Sequence, residues 1–256
     1  MKKSIVLAAV FGLSSLFCSA AQAHYPWINA DGYSLHTGES PKINIGFGHR
    51  YPLGSFLQQE DLEGLTLLDP AGKEIPLKSE NTIEFQPEEA LSGPGVYTVA
   101  AQRKAGFYTK TTDGGKRQSK EGLSNVLKCS NSHMAMKALL TVGDEPGEVY
   151  KTPVGHPLEL IPQANPATLK AGEYFPVQVL LRGKPYQGRL LATYMGFSTE
   201  KDVFAYTCNT DKDGMGKIRI LQPGIWLIKA EYEEPYADQN ICDVESFSAT
   251  LTLEIK

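Results

Sequence analysis

Residues 246–255 read SFSATLTLEI, and their alternation decides the fold. Phe247, Ala249, Leu251, Leu253 and Ile255 take every second position, with Ser, Thr or Glu between them. A strand points successive side chains to opposite faces, so this pattern predicts one face against a core and one polar face outward. Similar runs lie upstream at 225–232, 217–221, 203–208, 189–194, 174–181 (YFPVQVLL) and 158–161. In the first half they recur at 42–48 (KINIGFG), 65–69, 82–86, 95–103 (GVYTVAAQR) and 137–143 (KALLTVG). Short strands at this spacing, with turn residues between them, predict β-sandwiches. Composition agrees: 24 Gly and 16 Pro among 256 residues disfavour a helical bundle.

Residues 145–157 (EPGEVYKTPVGHP) are rich in Pro and Gly and read as a linker. The expected organisation is an N-terminal sandwich over 24–157 and a second over 158–256. Residues 106–128 show no period and carry Lys110, Lys116, Arg117, Lys120 and Lys128, so they read as a long polar loop. A short helix is expected within 124–136.

Lys2 and Lys3, an apolar run over residues 5–17 and Ala21-Gln22-Ala23 together predict a secretory signal peptide over residues 1–23, cleaved after Ala23. The apolar run is too short to span a membrane, and no later stretch is long enough. Phe17 before Cys18 argues against lipidation. A periplasmic product is therefore expected. Without Lys2 and Lys3 the chain carries 23 basic and 29 acidic side chains, a net −6, which argues against a nucleic-acid partner.

Cleavage there would make His24 the first residue, offering an α-amine and an imidazole to one ion. The α-amine, with a pKa near ~7.7–8.0, loses its proton to a metal far more readily than a lysine does. His49 ends a predicted strand between Gly48 and Arg50, and antiparallel pairing of two early strands would bring it to His24. His24 and His49 are the expected metal ligands, with His36 or His133 as a further one. Cys129, Cys208 and Cys242 make an odd number for an oxidising compartment. Cys208–Cys242 is the expected disulfide, leaving Cys129 free; pairing of Cys129 with either is the alternative. Asn209, Asp211, Asp213 and Gly214 imitate half a calcium loop, but Ile220 stands where a bidentate Glu belongs, so a turn is expected. Hydrolase, zinc-protease, P-loop and dinucleotide motifs are absent from the sequence, and no enzyme is expected.

Taken in order, His24-Tyr25-Pro26-Trp27, Gly48-His49-Arg50-Tyr51-Pro52 and Gly155-His156-Pro157 resemble a bacterial periplasmic family of unknown function. So do Lys170-Ala171-Gly172-Glu173, Pro223-Gly224-Ile225-Trp226 and the 248–253 ending. That family is loosely described as a nickel or cobalt uptake periplasmic component. The resemblance implies two consecutive immunoglobulin- or prealbumin-like domains. It also implies a divalent transition metal, nickel or cobalt foremost, and a membrane metal transporter or outer-membrane receptor as partner. His24 and His49 fall on the family's histidine positions. Imidazole ligands suit copper and zinc as well, so ligand type alone does not name the ion. Two other readings compete: a metal-free envelope binding module, and a copper-dependent oxidative enzyme with an N-terminal histidine brace.

Overall fold

A computed structural model describes residues 24–143 and 147–256. The expected signal peptide, residues 1–23, lies outside the described residues. Among these residues the chain is all-β, with three single-turn 3-10 helices and no α-helix. The first half holds β1 (Tyr25–Ala30), β2 (Ser34–Leu35), β3 (Ile43–Arg50), β4 (Leu53–Phe56), β5 (Leu62–Leu68), β6 (Glu74–Ile75), β7 (Leu77–Ser79) and β8 (Glu84–Pro87). Two long strands follow, β9 (Gly95–Thr111) and β11 (Val126–Val142), with β10 (Gly114–Lys116) between them. The second half adds β12 (Leu158–Pro162), β13 (Tyr174–Leu181), β14 (Lys184–Pro185) and β15 (Arg189–Tyr194). It closes with β16 (Tyr206–Asn209), β17 (Met215–Arg219), β18 (Gly224–Pro235) and β19 (Val244–Ile255).

A ten-stranded sheet, ordered β16-β15-β18-β19-β11-β9-β5-β6, draws strands from both halves. The halves meet where β11 pairs in parallel with β19, from Ser130↔Val244 to Ala138↔Thr252. Two smaller sheets pack on opposite faces of this shared one. On one face β12 and β13 bury Leu158, Leu160, Val177 and Val179 with Phe247, Ala249, Leu251 and Leu253. On the other, Ile28, Ile43 and Ile45 meet Val99, Ala101, Met136 and Ala138. Burying a side chain of that size contributes roughly 1.5–3 kcal/mol.

The polar face of β19 is not turned outward as its alternation predicts. Thr250 and Thr252 are buried, and their hydroxyls donate to the Pro26 and Ile28 carbonyls of β1, each at 2.8 Å. A hydroxyl can be buried at little cost when it finds such a partner. So β1 is pinned directly to the C-terminal strand. A third cluster, Tyr25, Trp27, Tyr51 and Leu227, extends this contact to β18. The Trp27 indole fits because Gly46 and Gly54 lack side chains: a Cβ there would lie 2.3 Å and 2.8 Å from it.

Three further expectations are corrected. Residues 106–128 are only partly a loop: 106–111 and 126–128 are the outer ends of β9 and β11, paired as an antiparallel arm, β10 lies beside β9, and 117–125 connect them without strand. Polar residues on both faces of this arm hide the strand period. The helix expected within 124–136 is β11. The disulfide joins Cys129 to Cys242, not Cys208 to Cys242, with Cα atoms 5.0 Å apart. The parallel β11–β19 pair brings Cys129 to the start of β19, where Asp243 also accepts the Cys129 N–H at 2.7 Å. Cys208 instead lies on the edge strand β16, opposite Leu190, as a free thiol.

A buried ion pair spans the core under β12. Lys137 of β11 meets Glu159 of β12, both 2% exposed at the side chain, and Glu159 also accepts the backbone N–H groups of Val154 and Gly155. No helix among the described residues is long and apolar enough to cross a membrane.

Candidate functional site

β1 and β3 pair antiparallel, Tyr25 opposite Gly48, and one further step places His24 beside His49. Their ring centroids are 4.1 Å apart, with the planes tilted by 52°. His24 also stacks on Phe47 at 5.1 Å, and the Arg103 guanidinium lies 5.1 Å from the same ring. The alternate residues Tyr25 and Trp27 pack with Tyr51 in the neighbouring buried cluster. Burial there holds the Tyr51 hydroxyl well above its ordinary pKa.

The second half supplies the remaining wall. Asp202, in the loop between β15 and β16, places its two carboxylate oxygens 3.1 and 3.3 Å from His49 Nδ1. Its own N–H donates to the His49 carbonyl at 2.8 Å. Nothing local in the sequence marks Asp202, because its partner lies 153 residues away. Arg103, brought in from β9, escapes sequence reading for the same reason.

Burial is the first cause holding His24 below the ordinary imidazole pKa, and His49 adds to it; Asp202 acts in the opposite sense. The neutral imidazole is therefore favoured, which is the form that binds metal. An imidazole nitrogen sits about 2.0–2.1 Å from a bound zinc ion. Two rings 4.1 Å apart are close enough for one nitrogen of each to approach a common ion. A chain beginning at His24 would add its amine, making three nitrogen donors. Among the described residues no group of three or more His, Cys, Asp or Glu side chains is arranged to hold a metal ion. A three-nitrogen site of this kind would therefore depend on the amine.

The other sequence-derived candidates lie elsewhere. His36 sits in the turn after β2, where its backbone N–H donates to the Glu39 carboxylate at 2.9 Å. His133, on β11, has Nε2 2.9 Å from Glu245 and stacks on Phe247 at 4.8 Å. It lines a cavity of about 500 Å³ with His156, Arg182, Glu245 and Phe247. Burial and the nearby Lys137 push the His156 pKa down to about 4. The 209–214 segment is a turn as expected: Asp211 Oδ1 accepts the N–H groups of Asp213 and Met215, each at 2.9 Å.

No curated protein matches the sequence. Among solved structures, a DUF4785 family protein from Legionella pneumophila is similar at 9% identity and a TM-score of 0.26, over 82% of this chain and 52% of that one. Trypsin-activated alpha-2-macroglobulin from Escherichia coli is similar at 10% identity and 0.22, over 90% of this chain and 15% of that one. The mouse nectin-like molecule 4 ectodomain follows at 9% and 0.20, over 88% and 96%. This chain thus spans about half the length of the first and a small part of the second. Likenesses this faint carry no argument, and the all-β class rests on the sheets themselves. A family model described only as a domain of unknown function matches residues 21–234. The chain therefore belongs to the DUF4198 family.

Proposed function

We propose that this chain is a periplasmic accessory protein that binds a divalent transition metal for uptake, with nickel or cobalt the cargo favoured by the sequence resemblance. Its role is binding rather than catalysis, and its partner is a membrane metal transporter or outer-membrane receptor. The observation that carries the reading is the approach of His24 and His49 to 4.1 Å between ring centroids. The lowered pKa of His24 supports it, since protons then compete less with the metal. Arg103 and Lys201 work against a bound cation here, and the Asp202 carboxylate offsets part of their charge. Nitrogen ligands bind copper more tightly than nickel, so cellular supply would select the cargo.

The test is elemental analysis of untagged protein purified from periplasm, beside a His24→Ala/His49→Ala double variant. One equivalent of nickel, cobalt, copper or zinc in the parent, lost in the variant, is the expected result. A parent that carries no metal and takes up none when offered each ion would leave the metal-free envelope module as the better reading.

A further inference from the structure

We propose that Asp202 is a positioning residue: it fixes His49 in the tautomer that carries its proton on Nδ1 and leaves Nε2 as the lone-pair nitrogen. The inference rests on the reading of His49 as a ligand, but it has its own test. An ionised carboxylate only accepts hydrogen bonds, so the ring nitrogen bonded to its Oδ1 at 3.3 Å must be the protonated one, while Oδ2, 3.1 Å from the same nitrogen, has no hydrogen-bond partner. The neutral ring then has a single donor nitrogen for a metal, Nε2.

Asp202 is built for this task from three directions. Its side chain is 10% exposed, and among the described residues no lysine or arginine forms a salt bridge with it, so His49 is the partner that compensates its burial. Its N–H donates to the His49 carbonyl at 2.8 Å, so backbone and side chain grip the same residue. Its φ of 54° lies in the left-handed region, where Asp is among the few side-chain-bearing residues that enter without a large penalty. A carboxylate behind a ligating imidazole orients the ring and raises its basicity, and removing such a group typically costs 10–100-fold in metal affinity. The second half of the chain would thus complete a site whose imidazoles both come from the first.

Asp202→Gly deletes the carboxylate while keeping a residue at ease at positive φ, and Asp202→Asn keeps an acceptor oxygen without the charge. Long-range ¹H–¹⁵N correlation spectra of the metal-free proteins, recorded where the imidazoles are neutral, report the His49 tautomer directly. The parent should show the Nδ1–H form alone, Asp202→Gly a mixture, and Asp202→Asn an intermediate result. Nickel titration should weaken by 10–100-fold in Asp202→Gly and by less in Asp202→Asn. An unchanged tautomer in a folded Asp202→Gly protein would overturn the proposal and leave Asp202 a loop clasp. A changed tautomer in proteins that bind no metal would uphold it and defeat the metal-binding reading instead.

Discussion

Among the described residues two histidine rings pair with carboxylates, and their surroundings differ. His49 has Asp202 behind Nδ1 and a second imidazole, His24, 4.1 Å away. His133 has Glu245 at 2.9 Å, but its ring neighbour is Phe247. Arg182 lies 3.5 Å from the same Glu245 and over the same phenyl ring, a fixed positive charge where a cation would need to sit. A histidine–carboxylate contact is therefore not a site in itself. What separates the two is the ring in direct contact: strand register sets a second imidazole against His49, whereas the ring stacked on His133 is Phe247. If His24 and His49 hold the metal as proposed, changes around His133, His156, Glu159 and Lys137 should affect stability and leave metal affinity alone.

The largest effect expected on that side comes from Glu159→Gln, which leaves Lys137 buried without its partner. It should cost about 3–5 kcal/mol in urea unfolding, while Lys137→Met with Glu159→Leu should recover most of the loss. Full stability in the single variant would mean that the pair holds nothing together. Next, replacing Cys129 and Cys242 by Ser should cost about 2–4 kcal/mol, whereas Cys208→Ser should cost under about 1 kcal/mol. Mass spectrometry of the unreduced protein should recover the Cys129–Cys242 cross-link, and a Cys208–Cys242 peptide would refute the strand pairing.

A pH effect of comparable or smaller size follows from His156. Its pKa is lowered from 6.5 to about 4 in the folded chain, so between those values the unfolded state binds the extra proton. Stability is then fully present above about pH 6.5 and falls as pH drops towards 4, by at most about 3 kcal/mol. In His156→Gln this part of the pH slope should disappear from denaturation curves at pH 7 and 4.5. The smallest effect is the most discriminating for the comparison: His133→Ala should change metal affinity less than about twofold by calorimetry. A tenfold loss would make the His133 cavity part of the site.

How much of this was legible in the sequence depends on the range of the contact. The all-β class follows from periodicity within each strand, and the meeting of His24 with His49 follows from pairing two neighbouring strands. Contacts between the halves leave no such trace. The Cys129–Cys242 bridge needs the parallel β11–β19 pair, whose members lie 113 residues apart at the cysteines. Proximity in sequence points instead to Cys208, which folding leaves on a distant edge strand. The 106–128 arm buries polar side chains, Thr109 and Thr111, so it lacks the apolar alternation that marks strands with one side in a hydrophobic core. Thr250 and Thr252 look solvent-facing for a related reason, since their partners are backbone carbonyls from the opposite end of the chain. Asp202 combines both difficulties: a polar residue in a loop, defined by a histidine 153 positions earlier.

In the proposed site the ligand set includes the amine of His24 as well as the two imidazoles. This is tested most directly by calorimetric titration of nickel or copper into the chain beginning at His24 and into the same chain carrying one extra glycine before it. The extension should weaken binding by about 100-fold or more, because it removes a direct ligand rather than an outer-shell group worth 10–100-fold. Equal affinity in the two proteins would contradict it.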